Sequence, residues 1–213
     1  MAKVELLNPV EIENESMRMI SLELGDAAID VENESIVKRV IHTTADFDYA
    51  KNLVFSPGVV KTAVHVLESG ARIVTDTKMG MAGISKPALE KTGSTVHCFI
   101  DDPDVLSAAQ AAGSTRALAA IDHAVANLEA PLVFVVGNAP TALIRLYELV
   151  TDQGLLPSLI IAVPVGFVNV VESKELVLSL DVPYIVARGR KGGSNVAAAI
   201  VNALLYQATG RVI

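Results

Sequence analysis

Leu132-Val-Phe-Val-Val-Gly-Asn-Ala-Pro-Thr141 is the stretch from which the fold can be read. It opens with a run of apolar, mostly β-branched residues at consecutive rather than alternate positions. A strand with one wet face alternates apolar and polar residues, whereas a strand covered on both faces reads as an unbroken apolar run. The run stops at Gly137, and Pro140 stands where a helix can begin, because proline fits the first helical turn. Strand, glycine turn and helix in direct succession make half of a βαβ unit.

The same grammar recurs on either side. Arg72-Ile-Val-Thr-Asp76, Thr95-Val-His-Cys-Phe-Ile100, Leu159-Ile-Ile-Ala-Val163 and Tyr184-Ile-Val-Ala187 are further short apolar runs. Helix-like segments lie between and after them, over 105–128, 140–153, 172–180 and 194–208. Alternating units of this kind predict a parallel sheet with right-handed crossovers. Before them, Asn8-Pro9 reads as a cap and first helical residue, with Glu11 and Glu13 favourably placed in the first turns. A second helix opens near Asn33–Ser35, carries Ile36, Val37, Val40 and Ile41 as its apolar stripe, and closes at His42-Thr43-Thr44. The expected fold is α/β, a single domain over 1–213. It has three layers: a five-stranded, mainly parallel sheet with helices on both faces, preceded by an N-terminal helical segment.

Composition narrows the function classes. The 213 residues are 51% hydrophobic but only 4% aromatic, with no Trp, so the core is aliphatic. Charged residues make up only 19%, which excludes a disordered chain. Mean hydropathy is +0.45, yet the most apolar stretch, Leu155 to Val171, is broken by Pro157, Ser158, Pro164, Gly166 and Asn169. A membrane span needs ~20 mostly apolar residues, so none is expected. The first residues turn acidic at once and lack a signal-peptide core. A lone cysteine, Cys98, excludes an internal disulfide framework and a cysteine-based zinc site. The chain is therefore expected to be soluble and cytoplasmic. A net charge of −7 argues against wholesale nucleic-acid binding.

In open α/β sheets, ligands bind outside the carboxyl ends of the strands. The exits to watch are Asp76-Thr-Lys-Met-Gly-Met-Ala-Gly83, Asp101-Asp-Pro103, Gly137–Thr141, Pro164–Asn169 and Arg188-Gly-Arg-Lys-Gly-Gly-Ser194. Gly137–Thr141 and Arg188–Ser194 run straight into helices, whose N-termini attract anions. Asn138, Arg188, Arg190, Lys191 and Ser194 are thus candidate carboxylate donors, with Lys78 and Lys86 weaker ones on the first exit. The spacing of 189–194 fits neither nucleotide-binding glycine fingerprint. Nucleophilic catalysis lacks its G-x-S-x-G elbow, and Cys98, inside an apolar run, reads as inert packing. Asp101-Asp102-Pro103-Asp104 reads as a turn and helix cap. His42, His65, His97 and His123 are scattered without metal-ligand spacing, and His97 reads as a satisfied, buried side chain. His42 differs, closing a helix beside two threonine hydroxyls, and histidine is the side chain that titrates near neutrality.

Taken in order, VIHTTADF around His42, Phe55-Ser-Pro-Gly58, Gly113-Ser-Thr-Arg116, Gly137-Asn-Ala-Pro-Thr-Ala-Leu143, Pro164-Val-Gly-Phe-Val168, Glu172-Ser-Lys174 and Arg188-Gly-Arg-Lys-Gly-Gly-Ser194 resemble the precorrin-8X methylmutase family. Its anaerobic counterparts are cobalt-precorrin-8 methylmutases. The resemblance runs from Asn14 to about Ala203 and implies an isomerase of cobalamin synthesis that moves a methyl group from C-11 to C-12 of a corrinoid ring. It implies no cofactor and no metal of the enzyme's own. Its partners would be a polycarboxylate tetrapyrrole substrate bound near the interface of a homodimer and, in the pathway, neighbouring enzymes, with neither nucleic acid nor membrane. By the same resemblance His42 is the proton donor and Arg116 an active-site arginine. Ser16 and Ser85 stand at hydroxyl positions near the ring, Ser85 where the family also uses threonine. Two rival readings remain, a non-catalytic corrinoid carrier on the same fold and an unrelated α/β enzyme acting on a phosphorylated metabolite.

Overall fold

The computed structural model describes residues 8–25, 27 and 29–211. The reading of residues 1–7 as free of a signal-peptide core lies outside them. In chain order the elements are α1 (Pro9–Leu24), α2 (Glu34–Thr44), α3 (Tyr49–Asn52), β1 (Leu53–Phe55), α4 (Val59–Glu68), β2 (Arg72–Thr75), α5 (Lys78–Gly83), α6 (Lys86–Thr92) and β3 (Thr95–His97). They continue with α7 (Pro103–Ala112), α8 (Arg116–Asn127), β4 (Leu132–Val136), α9 (Pro140–Gln153), β5 (Leu159–Ala162), α10 (Val170–Leu178), β6 (Tyr184–Ala187) and α11 (Ser194–Ala208).

The strands form one sheet in the order β1-β6-β5-β4-β2-β3. Every pair is parallel except β1 with β6. Successive residues of a strand point to opposite faces, and the burial pattern shows it. Ile73, Val133, Val135, Leu159, Ile161 and Ile185 enter one core, shared with α1, α2, α4, α6 and α11. Val74, Phe134, Val136, Ile160 and Val186 enter the other, shared with α8, α9 and α10. The unbroken apolar runs are thus explained, because both sets of alternate residues are buried. Helix α11 is the central packing element, touching α2, α4, α5 and α6. Its alanines let neighbours approach closely: a Cβ built on Gly83 would lie 2.8 Å from that of Ala198.

The three-layer expectation stands, with four corrections. Among the described residues there are six strands rather than five, because Leu53–Phe55 adds an antiparallel edge. It is three residues long, too short to carry a period. The single helix expected over 105–128 is two, α7 and α8, turning at Gly113, whose φ of +60° suits glycine. Thr115 caps α8 by accepting a hydrogen bond from the Leu118 N–H at 3.2 Å. The third strand ends at His97 instead of Ile100, and α10 starts at Val170 instead of Glu172. The N-terminal cap is as expected: Asn8 Oδ1 accepts from Val10 and Glu11 N–H groups, and Glu11 returns the bond to the Asn8 N–H. Among the described residues no helix is long and apolar enough to cross a membrane.

Candidate active site

Strand β4 lies between β2 and β5, so the chain leaves β2 towards β3 on one side and β4 towards β5 on the other. That reversal is the switch point at which open α/β sheets hold ligands. A cavity of about 580 Å³ opens there, at the carboxyl ends of β2 and β4. Its polar lining includes Asp76, Lys78, Asp101, Arg116 and Asn138.

The cavity floor is not the open anion hole that the helix N-terminus of α9 promised. Asp76, only 6% exposed, fills it. One of its oxygens accepts the Gly137 N–H at 2.9 Å, and the other accepts those of Asn138 and Ala139 at 2.8 and 2.7 Å. Burial pushes the Asp76 carboxyl above its ordinary range, against the downward pull of these three bonds. Asn138 therefore meets the cavity with its side chain, its backbone donor being spent. Thr77, following Asp76, shares a 2.7 Å hydroxyl bond with Ser194 at the start of α11, which links the last strand exit to this cavity.

At the cavity mouth Asp101 receives two cations, Lys78 at 2.7 Å and Arg116 at 3.3 Å. The hydrogen bond from Lys78, then the two positive charges, hold its carboxyl below the usual range although burial opposes them. Asp101 thus faces the cavity instead of serving as a cap. Asp102 is the residue before α7, and its side chain makes no cap bond.

His42 lines a second cavity, of about 240 Å³, with Ser16, Met19, Ile20, Glu23, Ile41, Ala45 and Phe47. The imidazole is exposed, in the last turn of α2. Helix α2 stops at Ala45, which has a left-handed backbone with φ of 52°. Beyond this corner, Asp46 and Asp48 each accept a 2.6 Å bond from Lys191. Lys191 thereby ties the corner after His42 to the exit loop of β6. The hydrogen bond from Lys191 holds the Asp46 carboxyl low. Ser16 donates to the Ile12 carbonyl within its own helix at 2.7 Å.

The predicted residues are therefore divided. Arg116 and Asn138, with Ser194 joined through Thr77, belong to the switch-point cavity, while Ser16 and His42 share the second. Ser85 lies at neither, lining an 80 Å³ cleft with Lys91, Tyr206 and Arg211, its N–H bonded to Asn202 at 2.8 Å. Arg188 is engaged with both carboxylate oxygens of Glu175 at 2.9 and 3.1 Å. Arg190 sits over the Phe167 ring, 5.4 Å from its centroid. Of the weaker candidates, Lys78 is at the switch point and Lys86 lines a separate cavity with Cys98. Asp76 and Asp101 were missed as site-forming residues. An acid directly after a strand, opposite a helix start, was the available signal for Asp76.

Other sequence readings are simpler. Cys98 is half-buried, and burial pushes its thiol up, which keeps it protonated and unreactive. His97 shares a 2.8 Å bond with Thr95 and stacks on Phe99 at 5.8 Å, and burial lowers its pKa. Among the described residues no three His, Cys, Asp or Glu side chains converge as metal ligands.

Comparison with known proteins follows this geometry. A family model described as precorrin-8X methylmutase matches residues 11–207. A cobalt-precorrin-8 methylmutase of Salmonella typhimurium is 46% identical, over 93% of this chain and 95% of its own. A precorrin-8X methylmutase of Pseudomonas aeruginosa is 40% identical, over 91% and 93%. The crystal structure of a precorrin-8X methylmutase from Thermus thermophilus superposes with a TM-score of 0.87 at 37% identity, covering 94% of this chain and 99% of that one.

Proposed function

Because this chain belongs to the precorrin-8X methylmutase family, we propose that it is an isomerase of cobalamin biosynthesis moving a methyl group from C-11 to C-12 of precorrin-8 or cobalt-precorrin-8, with His42 as the proton donor. The product is hydrogenobyrinate or cobyrinate. The reaction is a 1,5-sigmatropic shift: the C-11–methyl bond breaks as the C-12–methyl bond forms, and the ring's double bonds move to compensate. No nucleophile is needed. A proton lent to the ring nitrogen beside the migration terminus makes the ring electron-poor and returns once the shift is complete, so protons balance. A positioned general acid is worth typically ~10²–10⁴ in rate.

The observation that carries this reading is the exposed imidazole of His42 beside an apolar wall of Met19, Ile20, Ile41 and Phe47. Such a wall suits one face of a flat macrocycle. The acetate and propionate groups at the ring's rim suit the other donors: Arg116 and Lys78 bring two positive charges to a switch point that also holds the carboxyls of Asp101 and the buried Asp76, and Asn138, Arg190 and Ser194 add neutral and cationic donors. Arg188 and Lys191 already hold acids and act by shaping the loop or by exchanging partners. Ser16 and Ser85 are assigned to the ring's surroundings.

A homodimer accounts for the division of these residues among separate cavities, one subunit supplying donors that the other lacks. Exposed apolar side chains on α1 support this: Met19 and Leu22 are 59% and 68% exposed. The enzyme is assigned to the cytoplasm, beside the enzymes before and after it in the pathway.

Absorption spectra of the protein mixed anaerobically with precorrin-8 and with its cobalt form test the proposal, since migration changes ring conjugation. Conversion by the wild type, abolished in His42→Ala with corrinoid binding kept, is the expected outcome, and the faster substrate identifies the pathway branch. A bound but unchanged spectrum for both substrates would overturn the enzyme reading and favour a carrier.

A further inference from the structure

The Glu172-Ser-Lys174 phrase has no part in the chemistry above, yet Lys174 is fully buried, with 0% exposure. It projects from α10, and its ammonium donates to the carbonyls of Gly189 and Lys191 at 2.7 and 2.9 Å. No carboxylate pairs with it among the described residues. A buried ammonium without a counter-charge is costly, and burial draws its pKa down to about 8.

Its two acceptors belong to the exit loop of β6. The carbonyl between them, that of Arg190, accepts the Gly166 N–H at 3.1 Å, so three consecutive carbonyls are engaged by the protein. The loop also packs closely against the exit of β5. A Cβ on Gly192 would lie 2.1 Å from the Val163 carbonyl oxygen, and the Gly193 N–H donates to that oxygen at 2.8 Å. The N–H groups of Gly189, Arg190, Lys191 and Gly192 make no bond to any described residue. A run of unspent amide donors backed by positive charge is matched chemically by a carboxylate.

We propose that Lys174 is a positioning residue for corrinoid binding: it gathers the Gly189 and Lys191 carbonyls inward, which leaves the loop's N–H groups for a substrate carboxylate, and supplies from behind the charge that this carboxylate completes. The inference rests on the corrinoid reading. Substrate carboxylate and buried ammonium stabilise each other, so binding raises the proton affinity of Lys174, and loss of that proton weakens binding.

The charges around it are otherwise committed. On α10 Glu175 holds Arg188, in the loop Lys191 holds Asp46 and Asp48, and on α9 Arg145 holds Asp122 and Glu148. Glu172 on α10, Asp152 and Tyr147 on α9, Tyr184 on β6 and Arg190 in the loop are the other charged or ionisable side chains of these elements, and the Lys174 variants control for all of them.

The test is absorption titration with cobyrinate from pH 7.5 to 9.5, using wild type, Lys174→Met and Lys174→Arg. Wild-type affinity is expected to fall about tenfold between pH 7.5 and 9, a tenfold loss per unit being the limit for one proton. Lys174→Met is expected to bind about tenfold more weakly at pH 7.5 and to show no further fall. Lys174→Arg keeps the low-pH affinity without the fall, since a guanidinium stays charged. A folded Lys174→Met variant with wild-type affinity and wild-type pH profile would overturn the inference. Should both variants fail to fold, proton uptake by the wild type on binding at pH 8.5, read with an indicator dye, decides it: uptake supports the role of Lys174 and its absence removes it. Failure of the wild type to bind cobyrinate at any pH sinks the corrinoid reading itself, and the inference with it.

Discussion

Asp76 and Lys174 show how much of this molecule depends on single buried charges. Asp76 satisfies three N–H groups at the corner between β4 and α9, and leaving buried donors unpaired costs about 1–3 kcal/mol for each group. Asp76→Ala is expected to lower the unfolding free energy by about 2–4 kcal/mol in urea titration, and Asp76→Asn by less, because its amide oxygen still accepts. Lys174 gives a pH signature of the opposite kind to a paired lysine. Its pKa falls from an ordinary value near 10.4 in the unfolded chain to about 8 in the fold. Above pH 8 the native state has released a proton that the unfolded chain still holds, so stability rises with pH in that window. Between pH 8 and 10 the wild type should gain about 2 kcal/mol relative to Lys174→Met. In the sequence Lys174 carries no mark of its burial, and Asp76 only its place directly after a strand. An acid after a strand and a lysine in a helix are ordinary surface types, and only the tertiary neighbours that remove their water make them special.

At the scale of elements, the strands and helices that pack on both sides were legible because burial on two faces leaves an unbroken aliphatic run. The elements that escaped lack that mark. β1 has three residues, and α7 and α8 merge into one apolar stretch unless Gly113 is read as a stop. Contact between α5 and α11 makes a sharper prediction. With the prospective Cβ of Gly83 only 2.8 Å from that of Ala198, Gly83→Ala overpacks the junction and should cost about 1–3 kcal/mol. Ala198→Gly should recover part of it in the double variant, despite the ~1 kcal/mol that glycine costs inside a helix. The non-additivity of the thermodynamic cycle is the measurement, and strict additivity would mean the two helices do not meet as described. The link from Lys191 to Asp46 and Asp48 belongs to this scale as well. Asp46's lowered pKa means that its contribution is full above an ordinary aspartate's pKa of about 3.9 and is lost as pH falls through the lower folded value. The corner after His42 should therefore stay tied at any working pH and loosen only in acid, which amide exchange of residues 45–48 can follow.

For the whole molecule, α1 exposes Met19, which lines the His42 cavity, and Leu22, which does not, and Leu22 leads to a prediction about assembly. If the proposed homodimer uses this face, Leu22→Glu should shift the sedimenting species from dimer to monomer and lower turnover together, while leaving the lining of the His42 cavity unchanged. Activity surviving in a monomer would show that one subunit holds a complete site. Strand-exit logic pointed to the edge that carries the switch-point cavity, with Asn138 and Lys78 in its lining, yet it could not say that His42 and Arg116 line different cavities. That division follows from how α1 packs on α2 and α2 on α11, and nothing in local periodicity encodes it. The carboxylate of Asp76 carries one more consequence. Proteins of this architecture that handle nucleotides leave the corner at the switch point vacant for a phosphate. Here the chain has lodged one of its own acids there, as a permanent resident. A phosphate ester that reached this corner would find its three N–H groups already taken.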